Sequence, residues 1–426
     1  MRFADLDSWL RWQAGLHPAA VELGLERVGA VAERLAPLPA DTHVITVAGT
    51  NGKGSCVAVM DAVLRADGRR VVAYTSPHLH RYNERIRIDG RPVEDAALLA
   101  AFAAVDEARG ETALTYFEFG TLAALELAAR VAPEVLLLEV GLGGRLDAVN
   151  VVDPDVAVVT TIGLDHQDWL GPDRETIGAE KAGIFRAGVP VVLGEAEPPA
   201  SVLQRARELG CPVTRLGRDF RAATEAPGWR FEGSIRTVAT LPRAALRGVL
   251  LDNAATALEA VDRLPDGPRP AADAVREGCR LPSLPGRFQR LTGPVEWLLD
   301  LAHNPPAAAA LAAYVKSLPA AATTHAVIGL YADKDAAAII DALAGAADRW
   351  WCVGTPGERG RSAAALAATL RAQGNRVQDE FDDVQDALAA VGSAASPGDR
   401  VLVLGSFSVV GPALEQLGGD TADGPS

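Results

Sequence analysis

The chain has 426 residues, 49% hydrophobic and 23% charged, the proportions of an ordinary globular protein long enough for two domains. Its net charge of −14 disfavours a general nucleic-acid surface, which would present a basic face, while leaving room for a local phosphate pocket. Small molecules are the expected partners, with no nucleic acid and no membrane. Cys56, Cys211, Cys279 and Cys352 lie far apart with no C-x-x-C pair. That excludes a zinc site or disulfide framework and fits a reducing compartment. The opening residues MRFADLDSWLRW lack the apolar run of a secretory signal, and no stretch approaches the ~20 apolar residues of a membrane helix. A cytoplasmic protein is expected.

In chain order, HVITVAGTNGKGS (43–55) reads as a β-branched strand, a glycine-rich turn and the start of a helix. Strands follow at 71–74 (VVAY), 135–140 (VLLLEV), 156–160 (VAVVT) and 189–193 (VPVVL). Each is a nearly continuous apolar run, the pattern of parallel strands covered on both faces. Ala- and Leu-rich helical segments such as 95–108 and 119–131 lie between them, which gives a doubly wound domain. The segment LPSLPGRFQ (281–289) is the candidate linker. After it, strands near 295–300, 325–330, 349–353 and 401–405 restart the alternation. The expected fold is α/β: an N-terminal P-loop, doubly wound, ATPase-like domain over 1–285 and a smaller C-terminal Rossmann-like α/β domain over 286–426. The closing residues GGDTADGPS are expected to fray.

Between strand and helix, Gly49-Thr50-Asn51-Gly52-Lys53-Gly54-Ser55 has the composition of a phosphate cradle. Glycines let backbone N–H groups curl around phosphate oxygens, and the helix N-terminus adds partial positive charge. Lys53 supplies a point charge, and the Ser55 hydroxyl can reach a phosphate or Mg²⁺. Gly54 separates the lysine from Ser55, unlike the usual spacing. The later cluster Gly141-Leu142-Gly143-Gly144 has Leu146 where a dinucleotide fingerprint needs glycine, so a plain turn is the better reading.

In an open α/β sheet, ligand groups collect at the carboxyl ends of strands. Ser76 and His78, Glu139, and Asp165-His166 all fall there. Glu139 inside an apolar strand needs a cation, either a salt bridge such as Arg145 or a metal. Beside a phosphate loop, Glu139 and His166 suit Mg²⁺, which takes few protein ligands besides phosphate oxygens and water. By residue chemistry alone Lys181 is a surface lysine. Arg81, Arg85 and Arg87 form either a solvated face or a hold for an acidic substrate. Asn304 reads as a helix N-cap or a nucleotide contact.

ELGLERV (22–28), GTNGKGS (49–55), TSPHL (75–79), RYNERIRI (81–88), YFEFGTLAAL (116–125) and LEVGLGGRLDAVN (138–150) occur in order. LDHQDWLG (164–171), EKAGIF (180–185), PGRFQ (285–289), LDLAHNP (299–305), DKD (333–335) and GSF (405–407) continue the series. Together they resemble the folylpolyglutamate synthase/dihydrofolate synthase branch of the Mur ligase superfamily. The resemblance implies an ATP-dependent ligase that joins L-glutamate to dihydropteroate and to reduced folates through an acyl phosphate, with Mg²⁺ and as a monomer. A folylpolyglutamate synthase without the first activity, a peptidoglycan-precursor ligase and a nucleotide-binding regulatory module are the alternatives.

By the same resemblance, Thr50, Asn51, Gly52, Lys53, Gly54, Ser55, Asn253, Arg287 and Asp300 contact ATP. Ser76, Glu139 and His166 serve the metal. Glu22, Leu23, Gly24, Thr115, Tyr116, Phe117, Glu118, Leu146, Asp147 and Ala148 line the pterin pocket. Lys53, Lys181 and His166 are the catalytic candidates, and Lys181 matches a lysine that such enzymes carbamylate. Three positions depart from the usual pattern: Ser55 for threonine, Ser408 for histidine after GSF, and Ala332 before DKD.

Overall fold

A computed structural model describes residues 2–19, 21–242, 249–280 and 284–418. Residues 281–283 of the expected linker and 419–426 of the terminal segment lie outside them. The chain divides into two compact units, Met1–Leu281 and Pro282–Ser426.

The first unit is built on β1 (His43–Ala48), β2 (Val71–Tyr74), β3 (Ile86–Ile88), β4 (Arg91–Pro92), β5 (Val135–Glu139), β6 (Val156–Val159), β7 (Val191–Leu193) and β8 (Val213–Arg215). They run across one sheet in the order β4-β3-β2-β5-β1-β6-β7-β8. From β2 to β8 every neighbour is parallel, while β3 and β4 add an antiparallel edge. The parallel strands are the apolar runs seen in the sequence, and β2, β5, β6 and β7 are buried along their whole length. Helix Lys53–Ala66 explains why its face is apolar: Cys56, Val57, Val59, Met60, Val63 and Leu64 are all buried. Helix Tyr116–Val131 begins three residues earlier than its apolar pattern suggests. Thr115 caps it, accepting from the Glu118 N–H while the Glu118 carboxylate takes the Thr115 N–H at 2.7 Å.

A second, three-stranded antiparallel sheet, β9 (Arg221–Glu225), β10 (Gly228–Glu232) and β11 (Thr237–Leu241), follows. Arg236 ties its end to Asp262 of helix Val249–Asp262. The sequence reading did not separate this sheet, because β9 and β11 carry exposed polar residues between the apolar ones.

The other unit has one sheet of β12 (Gln289–Leu291), β13 (Glu296–Asp300), β14 (Thr324–Gly329), β15 (Arg349–Val353), β16 (Val377–Phe381) and β17 (Arg400–Gly405). Its order is β12-β13-β17-β14-β15-β16, parallel except for β12. Each unit has its own apolar core, one around Trp9, Phe102 and Phe119 and the other around Leu298, Ile328, Trp350 and Leu402.

Strand order decides where chemistry can sit. β1 lies between β5 and β6, so the chain leaves it in opposite directions. The crevice beyond the carboxyl ends of these three strands is the switch point of the sheet. In the other unit β17 holds the equivalent place between β13 and β14.

Candidate active site

The loop after β1 is held open by its neighbour across the switch point. Thr50 N–H donates to Thr161 O at 2.7 Å, and the Thr160 hydroxyl donates to Asn51 O at the same distance. The Thr50 hydroxyl accepts from Gly163 N–H at 3.0 Å. Two glycines make this packing possible. A Cβ on Gly49 would come within 1.8 Å of the Thr160 hydroxyl oxygen, and one on Gly52, whose φ is +88°, would lie 2.5 Å from the Asn253 side-chain oxygen. Asn253 is thereby placed beside the loop, and its carbonyl accepts from the Cys56 thiol at 3.3 Å. Lys53 opens the following helix and folds back, donating to Gly49 O at 3.0 Å and Thr50 O at 3.4 Å. The other two ATP candidates belong to the second unit. Asp300, at the end of β13, accepts from Phe288 N–H at 2.8 Å, and burial pushes its carboxyl up to about 6, with Arg287 opposing.

Glu139 ends β5 and is 5% exposed. Its carboxylate accepts from Ser76 N–H at 3.1 Å, and Gly54 lies against it. The salt bridge to Arg145 is not formed: Arg145 pairs with Glu180 at 2.9 Å, on the exposed side of the turn. His166, after β6, has a left-handed backbone with φ 51° and lies 3.9 Å from the Asp165 carboxylate. Among the described residues no group of three or more His, Cys, Asp or Glu is arranged to hold a metal by itself. The Glu139 carboxylate beside Ser76 and the phosphate loop is instead a single hard oxygen donor. It fits a divalent ion that completes its shell with phosphate oxygens and water.

Lys181 is not a surface lysine. It is 3% exposed at the end of helix Arg174–Lys181, because only the opposite face of that helix meets solvent. Burial, with the Lys53 charge nearby, pulls its ammonium down to about 7, and Asp165 and Asp147 oppose the shift. The group thus sits among the loop lysine and the acids of both neighbouring strand ends.

A cleft of about 230 Å³ opens beside Ser76 and Pro77. Three distant segments line it: Glu22, Leu23 and Gly24; Thr115, Phe117 and Glu118; and Leu146, Asp147 and Ala148. Tyr116, expected with them, packs instead against the Tyr82 ring and the Arg85 guanidinium. Asp147 closes the glycine turn after β5, accepting from Leu142 N–H and Val149 N–H, and burial raises its carboxyl to about 6.

Of the three arginines left open by the sequence, Arg81 pairs with Asp95 and Arg87 donates to Gly90 O. Arg85 alone of the three lines the cleft, 9% exposed and on the imidazole of His78. Nothing in the one-dimensional pattern separates it from Arg87. Asn304 caps helix Pro305–Ser317 by accepting from Ala307 N–H.

The chain matches the Mur ligase middle domain over residues 47–229 and the Mur ligase glutamate ligase domain over 286–407. It is 44% identical over 414 residues to the dihydrofolate synthase/folylpolyglutamate synthase of Escherichia coli strain K12, covering 97% of this chain and 96% of that protein. Among solved structures it is similar to E. coli FolC in complex with DHPP and ADP, at 43% identity and a TM-score of 0.91, covering 98% and 99% of the two chains. A bifunctional folylpolyglutamate synthase/dihydrofolate synthase with Mn, AMPPNP and L-glutamate bound is 42% identical, with a TM-score of 0.88 over 97% and 98%.

Proposed function

Because the chain belongs to the dihydrofolate synthase/folylpolyglutamate synthase family of Mur ligases, we infer that it joins L-glutamate to dihydropteroate, forming dihydrofolate, and to folylpolyglutamates. The observation that carries this reading is the position of Ser76. It lines the cleft, and its N–H holds the carboxylate of Glu139 against the phosphate loop. An acid bound in the cleft therefore meets a nucleotide bound at the loop.

The substrate carboxylate attacks the γ-phosphorus of ATP and ADP leaves. The amine of glutamate then attacks the acyl carbon, phosphate departs and an amide remains. Little of this needs covalent help from protein, so the chain contributes position and charge. Thr50 to Ser55 and Asn253 hold the phosphates and nucleotide; Arg287 and Asp300 are the remaining ATP-contact candidates by the family pattern. Lys53 releases its loop carbonyls to neutralise the transferring phosphoryl group.

Ser76, Glu139 and His166 hold the metal. Mg²⁺ is the ion proposed, where a relative was solved with Mn; when bound, it offsets charge on the phosphates. Lys181, with its ammonium near 7, has the unprotonated amine that CO₂ needs to form a carbamate. That change replaces a buried cation by an anion facing Lys53. The segments at 22–24 and 146–148, with Thr115, Phe117 and Glu118, receive the pterin. The enzyme is expected to work as a cytoplasmic monomer.

The test is ATP-dependent phosphate release with L-glutamate, run separately with 7,8-dihydropteroate and tetrahydrofolate, with products identified by mass. Dihydrofolate from one and a diglutamate from the other are expected. Product from tetrahydrofolate alone would reduce the enzyme to polyglutamylation. Silence from both, with ATP still bound, would remove the folate reading.

A further inference from the structure

The substrate of this reaction is an acid, yet three carboxylates, Glu22, Glu118 and Asp147, are among the residues lining the cleft. Those carboxylates are already engaged. Glu118 accepts from Thr115 N–H and Arg27, Glu22 meets Arg27 and His17, and Asp147 takes two backbone N–H groups. Among the described residues lining the cleft, Arg85 carries the positive charge.

A guanidinium is useful for recognition only if its planar fork is held. Here it is held on three sides. Its centre lies 5.1 Å from the Tyr82 ring centroid and 5.6 Å from that of Tyr116. Its Nε donates to His78 Nδ1 at 2.9 Å. A guanidinium has no acceptor, so this bond requires an imidazole that is bare at Nδ1 and carries its proton on Nε2. The His78 ring in turn packs 5.7 Å from Tyr82. The loop between histidine and arginine is pinned by Glu84, whose carboxylate collects the N–H groups of Leu79, His80 and Arg81.

We propose that His78 is a positioning residue for the acid substrate. By accepting from Arg85 Nε it fixes the guanidinium, leaving the terminal N–H groups of the fork to the anionic, pterin-bearing acid. The inference rests on the ligase reading and adds to it a residue that touches neither nucleotide nor metal.

The test compares His78→Ala with His78→Asn, whose side-chain oxygen can accept in place of Nδ1. In the alanine variant KM for dihydropteroate is expected to rise roughly tenfold, the scale of one hydrogen bond to a charged group. Its kcat should move less, with KM for ATP and the melting temperature close to wild type. The asparagine variant should recover most of the loss. In the wild-type enzyme, ¹⁵N spectra of the imidazoles should contain a neutral Nε2–H ring whose signal vanishes in either variant.

An unchanged KM for dihydropteroate in the folded alanine variant overturns the proposal, as does an Nδ1–H tautomer assigned to His78. If the alanine variant does not fold, the asparagine variant decides: a KM near wild type supports the role, and a tenfold rise refutes it. A wild-type enzyme inactive with both acids would instead sink the ligase reading, and the tautomer spectrum would still decide the His78–Arg85 bond.

Discussion

Lys53 donates to two carbonyls of its own loop, so its charge is held at the loop proposed to receive phosphate. Replacing it by alanine is expected to lower turnover roughly 10²-fold, the scale for removing a preorganised charge-stabilising group. Near-normal turnover would refute the role. Lys181 makes a different prediction. Its folded ammonium loses its proton near 7, whereas the unfolded chain keeps it to about 10.5. Across that window the unfolded state binds the extra proton, so stability rises with pH, and the destabilisation is complete below it. In bicarbonate-free buffer, Lys181→Met should raise the melting temperature by several degrees below the folded value near 7, with the gain fading towards 10.5. A gain that does not vary with pH would assign the effect to packing instead. No pattern in EKAGIF reveals that burial. It comes from the way helix Arg174–Lys181 turns its last residue inward, and residue chemistry alone reads such a lysine as solvated.

Elements position these residues through their ends. The box formed by Thr115 and Glu118 starts a helix and also shapes the cleft, because both residues line it. Thr115→Ala should destabilise the fold by about 1 kcal/mol and raise KM for dihydropteroate more than KM for ATP, as read by melting curves and steady-state kinetics. Equal changes in both KM values would argue against a local effect. The same box explains a limit of sequence reading. The apolar period announces this helix only from residue 119, since Thr115 and Glu118 at its start serve the cap and the cleft. Parallel strands were legible because burial on both faces leaves an apolar run, as in β5 and β6. The antiparallel additions β3, β4 and β9 to β11 were not, being short or half exposed. The segments around the cleft were recognisable as motifs, but their meeting depends on strand order. That is why Arg85 and Arg87, two residues apart, could not be told apart.

On the scale of the whole molecule, none of the structure described depends on a cross-link. The four cysteines are free thiols, and no described cluster of ligands holds a metal unaided. A chelator is therefore expected to abolish turnover while leaving the melting temperature in place, and a reductant should change neither. A large fall in melting temperature on chelation would reveal a structural ion. Each unit carries an apolar core of its own, and the first unit is built on a sheet whose strand β1 has sequence-distant neighbours on either side. The braces that shape the phosphate loop, Thr160, Thr161 and Gly163, lie some 110 residues beyond it. A chain still emerging from the ribosome carries the glycine motif long before those braces exist. Its loop then lacks the hydrogen bonds that shape it in the folded protein. The shape of that loop is therefore a product of the folded sheet, completed only once β6 and the residues after it are in place.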